Sequence, residues 1–220
     1  MTEEEQIAYY ASAKRYKTCD LLIIMKILRA RCPWDKEQTH ESIRMNFLEE
    51  AYEACDANDN KDPENLCEEL GDVLLQVVFH AQMSREEGDF DFHDVVNGVC
   101  AKLVLRHPHI FGDVVADDSA QVLTNWDNIK AKEKGQKNVR KKLDDVPRAL
   151  PALIRAQKLM SRAHKDGEFE YSDTLSGMSK EDAEAFLGDK LFELCSAAKA
   201  LDIDLEEVLE RKNDAFVERF

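Results

Sequence analysis

The sequence predicts an all-α protein, and three observations support this fold class. Only eight glycines and five prolines interrupt the 220 residues, so long stretches are free of helix-breaking residues. Apolar side chains recur at intervals of three and four residues, which is the helical period. The strict apolar–polar alternation typical of half-buried strands does not occur. We therefore expect helices throughout and no strand.

The length and the cysteine pattern indicate a protein that folds without disulfides. A chain of 220 residues fits one domain or one domain with a fragment, and it can bury a sizeable core. The six cysteines form no CxxC pair and are interpreted as reduced thiols. There is no signal-peptide pattern and no apolar run near the ~18 residues that span a membrane. We expect a cytoplasmic protein without a membrane partner.

The charge balance argues against nucleic acid as a partner. The formal net charge is −15, whereas proteins that bind long polyanions show a dominant basic face. One segment, residues 126–142, departs from this acidity. A solvated linker or an amphipathic arm explains it better than a nucleic-acid site does. Its basic residues are Lys130, Lys132, Lys134, Lys137, Arg140, Lys141 and Lys142.

The first predicted helix spans about residues 3–30, because apolar residues at helical spacing continue until Pro33 ends the pattern. The segment that follows, CPWDKEQTH at 32–40, has few core-like positions and is predicted to be a loop. It carries two candidate substrate-binding residues, Trp34 and His40. The Trp34 ring could lie on a nucleobase, or it could fill the gap between two helices. The sequence leaves both interpretations open.

Two acidic helices come next and contain the strongest functional signal. The first carries Glu49, Glu50 and Glu53, and the second carries Glu69 and Asp72. Side chains three residues apart lie on the same face of a helix, so each helix presents a pair of carboxylates. Packed antiparallel, the two helices would bring four carboxylates together. The second helix has a clear start, with Asp62 as N-cap and Pro63 at the first helical position.

The surroundings of Asp72 favour a metal site over a solvated acidic face. The apolar run Val73–Leu75 follows it directly, so this helix is too apolar to lie on the surface. Carboxylates held against a core repel one another and lose hydration unless a cation neutralises them. Oxygen ligands favour Mg²⁺ or Mn²⁺ over Ca²⁺ at such a site. An isolated ExxE is commonly a solvated face, but two acidic sets on one helical hairpin indicate metal binding.

A fourth helix is predicted over residues 94–105, after a turn at Gly88. Lys102 and Arg106 are four residues apart and share one face of it. Cations near a helix C-terminus are also favoured by the helix dipole, so their position has a structural explanation too. The histidines 107 and 109 lack further ligands at metal-binding spacing. Residues 1–112 are therefore predicted to form a four-helix bundle.

The remainder of the chain is predicted to hold a partial second copy. Residues 113–150 are predicted to form a loop, a helix over 122–134 and a basic linker. Residues 151–220 are predicted to form further helices. The stretch LGDKLFEL at 187–194 resembles LGDVLLQV at 70–77, which aligns Asp189 with Asp72. Phe186 stands in place of Glu69, Ala215 in place of Lys102, and no EExxE precedes them. The second copy is therefore expected to have lost metal binding.

With these residues in view, the chain resembles the MazG family of nucleoside triphosphate pyrophosphohydrolases across nearly its whole length. An EExxE followed, after 15 intervening residues, by an ExxD is the signature of that family. The motifs that carry the resemblance are CPWDKEQTH at 32–40, LEEAYE at 48–53, EELGDVLLQVVFHAQ at 68–82, RHPHIFGD at 106–113, IKAKEK at 129–134 and VPRALPALIRAQKL at 146–159.

The resemblance implies an all-α fold in tandem copies, a tight homodimer and Mg²⁺ dependence. It further implies hydrolysis of a nucleoside triphosphate to the monophosphate and pyrophosphate, a reaction suited to sanitation of the nucleotide pool. Carried over to this sequence, it assigns metal binding to Glu50, Glu53, Glu69 and Asp72, catalytic carboxylate roles to Glu49 and Glu50, and triphosphate binding to Lys102 and Arg106.

The sequence departs from the family pattern at two points. Asn65 stands where some family members carry a lysine, and only one complete motif is present. A non-catalytic dimer that binds nucleotides or a protein partner through a relic site is therefore the alternative. A carboxylate-bridged di-iron bundle is not indicated, because such bundles need Glu-x-x-His pairs. Three residues after Glu50 and Glu69 stand Glu53 and Asp72.

Overall fold

A computed structural model describes residues 1–115, 118–133 and 138–220; within the helix at 119–133, the side chains of residues 120, 127, 128 and 130–132 are not described. These ranges contain helices and no strand, which confirms the predicted all-α class. The chain divides into two compact units, Met1–Val115 and Ala116–Phe220. The helices are α1 (Glu3–Ser12), α2 (Thr18–Arg31), α3 (Pro33–Glu37), α4 (Arg44–Asp59), α5 (Pro63–Glu87), α6 (Phe92–Arg106), α7 (Pro108–Phe111), α8 (Ser119–Glu133), α9 (Val139–Asp144), α10 (Ala152–Lys165), α11 (Lys180–Ala200) and α12 (Leu205–Val217).

Helix α5 is the centre of the first unit, because it packs against α2, α4 and α6. Its apolar side chains meet those of α2 and of the residue before α4 in one buried cluster. Burial of these side chains supplies the main favourable free energy for this unit. The cluster consists of Met25, Ile43, Val78, Phe79 and Met83.

The helical hairpin of α4 and α5 forms as predicted. The Asp62 carboxylate accepts from the backbone N–H groups of Glu64 and Asn65 at 3.2 and 3.1 Å, and Pro63 occupies the first helical position. Gly88, with φ +86°, ends α5 in the left-handed conformation that glycine adopts readily. The Phe47 ring lies against His80, whereas Ala57 accepts a hydrogen bond from Asp62, so the two helices run antiparallel.

The predicted single helix over residues 3–30 is wrong, because the structure has two helices separated by residues 13–17. The Ser12 hydroxyl donates to the carbonyl groups of Ala8 and Tyr9, a local bond that competes with helix continuation. Ala13 is extended, with ψ 141°. The Asp20 carboxylate then accepts from the backbone N–H of Lys17 at 2.7 Å and starts the next helix.

Two segments predicted as loops contain short helices. Within 32–40, α3 begins with Pro33 at its first position, where the missing N–H costs nothing. Within the basic linker, the Asn138 side chain accepts from the backbone N–H of Lys141 at 3.0 Å and starts α9. Lys134 and Lys137 of the basic segment lie outside the described residues.

The second unit is held together by α9, α10 and α12. Arg155 of α10 is only 2% exposed, and it forms ion pairs with Glu210 and with Asp214 of α12, the latter at 2.9 Å. The apolar cluster of this unit comprises Leu143, Val146, Leu159, Ala163 and Val217. Helix α11 differs, because Ala198 is its single buried residue. That residues 151–220 are a degenerate copy remains a prediction.

Across the described ranges, every helix is either too short or too polar to cross a lipid bilayer.

Candidate active site

Three of the predicted acids meet on the α4–α5 hairpin. One carboxylate oxygen from each of Glu50, Glu69 and Asp72 lies within 4.8 Å of the other two. All three residues are partly buried. Glu50 comes from α4 and the other two from α5, so the group exists only because the two helices pack against each other.

Glu53, the fourth predicted acid, lies one helical turn beyond Glu50 and is exposed. Its negative charge raises the pKa of both Glu50 and Glu69, so we assign it to the same acidic group. We call Glu50, Glu53, Glu69 and Asp72 the acidic quartet.

The electrostatics of the acidic quartet are unfavourable in the absence of a cation. Burial raises the pKa of Glu50, and the charges of Asp72, Glu53 and Glu69 raise it further. Burial likewise raises the pKa of Glu69, with added repulsion from Glu53 and Asp72. Partial desolvation and like charges both disfavour ionised carboxylates. A bound cation would relieve both effects.

The donors suit a hard divalent ion. All four side chains offer carboxylate oxygens, the ligand type of Mg²⁺ and Mn²⁺. The separations of up to 4.8 Å are near the roughly 3–4 Å that separates oxygens around one Mg²⁺ ion. Small rotations of the side chains would therefore suffice to bring these oxygens around one ion.

The other charged candidates lie on α4 and α6 and are not members of the acidic quartet. Glu49 precedes Glu50 on α4 and is exposed. Lys102 is exposed on α6, and Arg106 is half-buried at the last residue of the same helix. Helix α6 packs against α5, and its Phe92 side chain contacts the core cluster. The substrate roles of Lys102 and Arg106 stay predictions.

Trp34 forms one edge of a cavity beside α5. Its ring centroid lies 6.4 Å from that of Phe79, yet 57% of the residue is exposed. The cavity measures about 110 Å³ and is also lined by Asn46 and Gln76. The Trp34 side chain thus contacts the core through Phe79 and also presents an exposed surface beside the cavity.

Sequence reasoning missed the importance of Gln76. It is 6% exposed, and within the described ranges no group pairs with its side-chain oxygen. The available signal was a glutamine inside the apolar run 73–79, four residues after Asp72. At that spacing it lies on the same helix face as Asp72.

His40 is engaged with His80 of α5, which the sequence alone did not indicate. The two rings are stacked with centroids 4.9 Å apart, and their Nδ1 atoms are 2.6 Å apart. The Ser84 hydroxyl lies 3.3 Å from His40 Nε2. A hydrogen bond between the two Nδ1 atoms requires one of them to be unprotonated. This pair anchors the segment after α3 to the central helix, and a role of His40 in substrate binding stays a prediction.

We expect the pair to make stability depend on pH. Burial lowers the pKa of His80, and the neighbouring His40 lowers it further. Below about pH 6.5, the ordinary histidine pKa, the unfolded chain takes up a proton that the folded protein resists. Stability should therefore fall as the pH drops through 6.5 towards the lowered pKa of His80. Urea midpoints from pH 8 to pH 5.5 measure this loss.

A comparison with His80→Gln separates the contribution of His80 to the pH dependence of stability from the contribution of the carboxylates. The variant should be less stable than the wild type at pH 8, and the difference should shrink towards pH 5.5. A difference that does not change with pH would contradict the assignment.

Comparison with known proteins places the site in a family. Residues 38–111 match the MazG nucleotide pyrophosphohydrolase domain, and this range includes the whole acidic quartet. A nucleoside triphosphate pyrophosphohydrolase of Escherichia coli (strain K12) is 41% identical, over 91% of this chain and 84% of the relative. A nucleoside triphosphate pyrophosphohydrolase/pyrophosphatase MazG of Thermotoga maritima is 38% identical, over 91% of this chain and 83% of the relative.

Among solved structures, a MazG-related protein from Thermotoga maritima matches with a TM-score of 0.45 and 24% identity, covering 50% of this chain and 96% of the other. The sequence matches are much stronger, because they extend over nine-tenths of the chain at about 40% identity. On that evidence the chain belongs to the MazG nucleotide pyrophosphohydrolase family.

Proposed function

We propose that the protein hydrolyses nucleoside and deoxynucleoside triphosphates to the monophosphate and pyrophosphate in a Mg²⁺-dependent reaction. The observation that carries this proposal is the meeting of Glu50, Glu69 and Asp72 within the matched domain. We further propose that the reaction serves sanitation of the nucleotide pool in the cytoplasm. The six free cysteines suit such a reducing compartment.

The acidic quartet would hold the cation. Mg²⁺ bound there, or Mn²⁺ in its place, would neutralise charge on the phosphate oxygens and orient the triphosphate. The partial burial of the carboxylates strengthens this electrostatic interaction relative to bulk water.

The side chains of this protein supply the remaining functions. A water molecule attacks the α-phosphorus, a bond forms between them, and the bond to the oxygen bridging the α- and β-phosphorus breaks. Pyrophosphate leaves with that oxygen. A carboxylate, either Glu50 of the quartet or the preceding Glu49, accepts the proton of the attacking water. Lys102 and Arg106 bind the charge on the triphosphate.

We also propose that the protein is a homodimer through α6. Its apolar residues Val96, Val99 and Leu103 are each at least 40% exposed, and their spacing puts them on one helix face. A charge placed in such an interface is strongly destabilising to association. Sedimentation equilibrium should give a dimer for the wild type and a monomer for Leu103→Glu. A monomeric wild type at tens of micromolar concentration would contradict this proposal.

Product identity tests the proposed reaction. Incubation with a panel of triphosphates, including dUTP and damaged forms, should yield monophosphate and pyrophosphate only when Mg²⁺, or Mn²⁺ in its place, is present. Diphosphate with orthophosphate would indicate attack at the γ-phosphorus instead. Absence of turnover with every triphosphate would favour the alternative, a non-catalytic nucleotide-binding dimer.

A further inference from the structure

The cavity beside α5 has the dimensions of a site for one aromatic ring. Its volume is about 110 Å³, somewhat less than the roughly 150 Å³ of a cavity that encloses benzene. Trp34, which is more than half exposed, leaves one side open. The apolar walls come from Met25, Leu28, Ile43, Leu75 and Phe79. A planar ring could enter beside Trp34 and lie between apolar surfaces.

One buried polar group in this cavity lacks a partner. Gln76 is 6% exposed, and its Oε1 atom is paired with no other group of the described ranges. Buried side-chain oxygens are nearly always hydrogen-bonded, because an unpaired one destabilises the fold. A carbonyl oxygen accepts hydrogen bonds, so the missing partner is a donor. The cavity is thus a slot with mostly apolar walls, to which Asp35 and Asn46 also contribute, and it contains an acceptor without a partner.

The position of Gln76 connects this slot to the acidic quartet. Gln76 follows Asp72 by four residues on α5, one helical turn or about 6 Å along the axis. Both side chains therefore lie on the same face of that helix. A ligand with phosphates at Asp72 and a ring in the slot would extend along one turn of α5, which matches the arrangement of a nucleotide.

We propose that Gln76 is a specificity-determining residue that reads the base of the substrate, and that the slot takes a pyrimidine. This inference rests on the proposed triphosphate substrate. The size of the slot favours a single ring over a purine. An N–H group on the polar edge of the ring, the 4-amino group of cytosine or N3–H of uracil, donates to Gln76 Oε1. Trp34 covers one face of the ring.

The test measures binding without hydrolysis, so that it is separable from the catalytic proposal. The probe is the α,β-methylene analogue of dCTP, whose α–β bridge cannot be cleaved by water. Binding is followed by Trp34 fluorescence in full-length protein carrying Trp126→Phe, which leaves Trp34 as the only tryptophan, since the chain has two. Inorganic tripolyphosphate, which has no base, is measured in competition.

Gln76→Leu should weaken binding of the dCTP analogue by about 10- to 100-fold, the range for loss of a buried hydrogen bond to a ligand. Its affinity for tripolyphosphate should stay unchanged. Gln82→Leu is the matched control, because Gln82 is on the same helix, bonds to Glu86 at 2.8 Å and does not line the slot. This control should bind both ligands as the wild type does.

Two results would overturn the proposal. Equal affinities of wild type and Gln76→Leu for the dCTP analogue would show that Gln76 does not read the base. A parallel loss for tripolyphosphate would show a structural effect on the phosphate site. A selective loss for the analogue supports the proposal even if the protein turns over no triphosphate, and in that case only the catalytic proposal fails.

Discussion

Asp72→Asn is expected to reduce Mg²⁺-dependent turnover by at least about 10³-fold, because it removes an anionic ligand from the centre of the acidic quartet. Metal ions contribute several kcal/mol to stabilising charge in such transition states, and each 1.36 kcal/mol corresponds to a factor of ten in rate. Glu53→Gln should have an effect in the same direction. The fold should persist, since loss of one like charge relieves repulsion on Glu50 and Glu69.

The chain supplies its own control for this experiment. Asp189 aligns with Asp72 in the similar stretch LGDKLFEL, but it is exposed on α11, whereas Asp72 is partly buried. Asp189→Asn should therefore leave kcat and KM unchanged. Steady-state rates at saturating Mg²⁺ and thermal melting of both variants provide the comparison. Wild-type turnover by Asp72→Asn would contradict the proposed role of the acidic quartet in the reaction.

Arg106→Lys should lower kcat and kcat/KM although the charge is kept. A guanidinium can donate two parallel hydrogen bonds to a phosphate, and an ammonium cannot reproduce that geometry. If Arg106 stabilises charge that develops on the pyrophosphate leaving group, its contribution is larger in the transition state than in the ground state. We expect a penalty of about 2–4 kcal/mol, the magnitude for one preorganised donor.

The alternative for Arg106 is a purely structural role at the C-terminus of α6. There a cation contributes roughly 0.3–1 kcal/mol to stability, and a lysine would replace it without kinetic effect. Lys102→Met extends the test to the second cation on this face. Arg211→Lys is the control, because Arg211 is exposed and pairs with Glu207 within one helix of the second unit. Near-wild-type kinetics for both Arg106→Lys and Lys102→Met would support the structural role.

The part of the site that depends on short-range sequence features, such as helix caps and residue spacing, could be predicted from the sequence. The α4–α5 hairpin follows from an N-cap aspartate, a proline at the first helical position and a glycine at the end, all of which act over a few residues. The carboxylate spacing then determines which side chains share a face. Given the hairpin, the meeting of Glu50, Glu69 and Asp72 required only that the two helices pack antiparallel.

Features that depend on specific side-chain contacts escaped prediction. The break between α1 and α2 involves the Tyr16 hydroxyl, which donates to the carbonyl of Tyr10 at 2.9 Å. The apolar periodicity of the segment does not encode this bond. The stack of His40 on His80 joins residues 40 positions apart. Neither histidine has a neighbour in sequence that indicates the other. The environment of Gln76 likewise arises only when the segment carrying Trp34 packs on α5.

Hydrolysis in H₂¹⁸O tests the central claim most directly, because the label marks the phosphorus atom that the water attacks. With a good triphosphate substrate and Mg²⁺, mass spectrometry of the products should find one ¹⁸O atom in the nucleoside monophosphate and none in the pyrophosphate. That result corresponds to attack of water at the α-phosphorus, as the proposed reaction requires. Label in pyrophosphate would show attack at the β-phosphorus, and label in orthophosphate attack at the γ-phosphorus; either would contradict the proposed reaction.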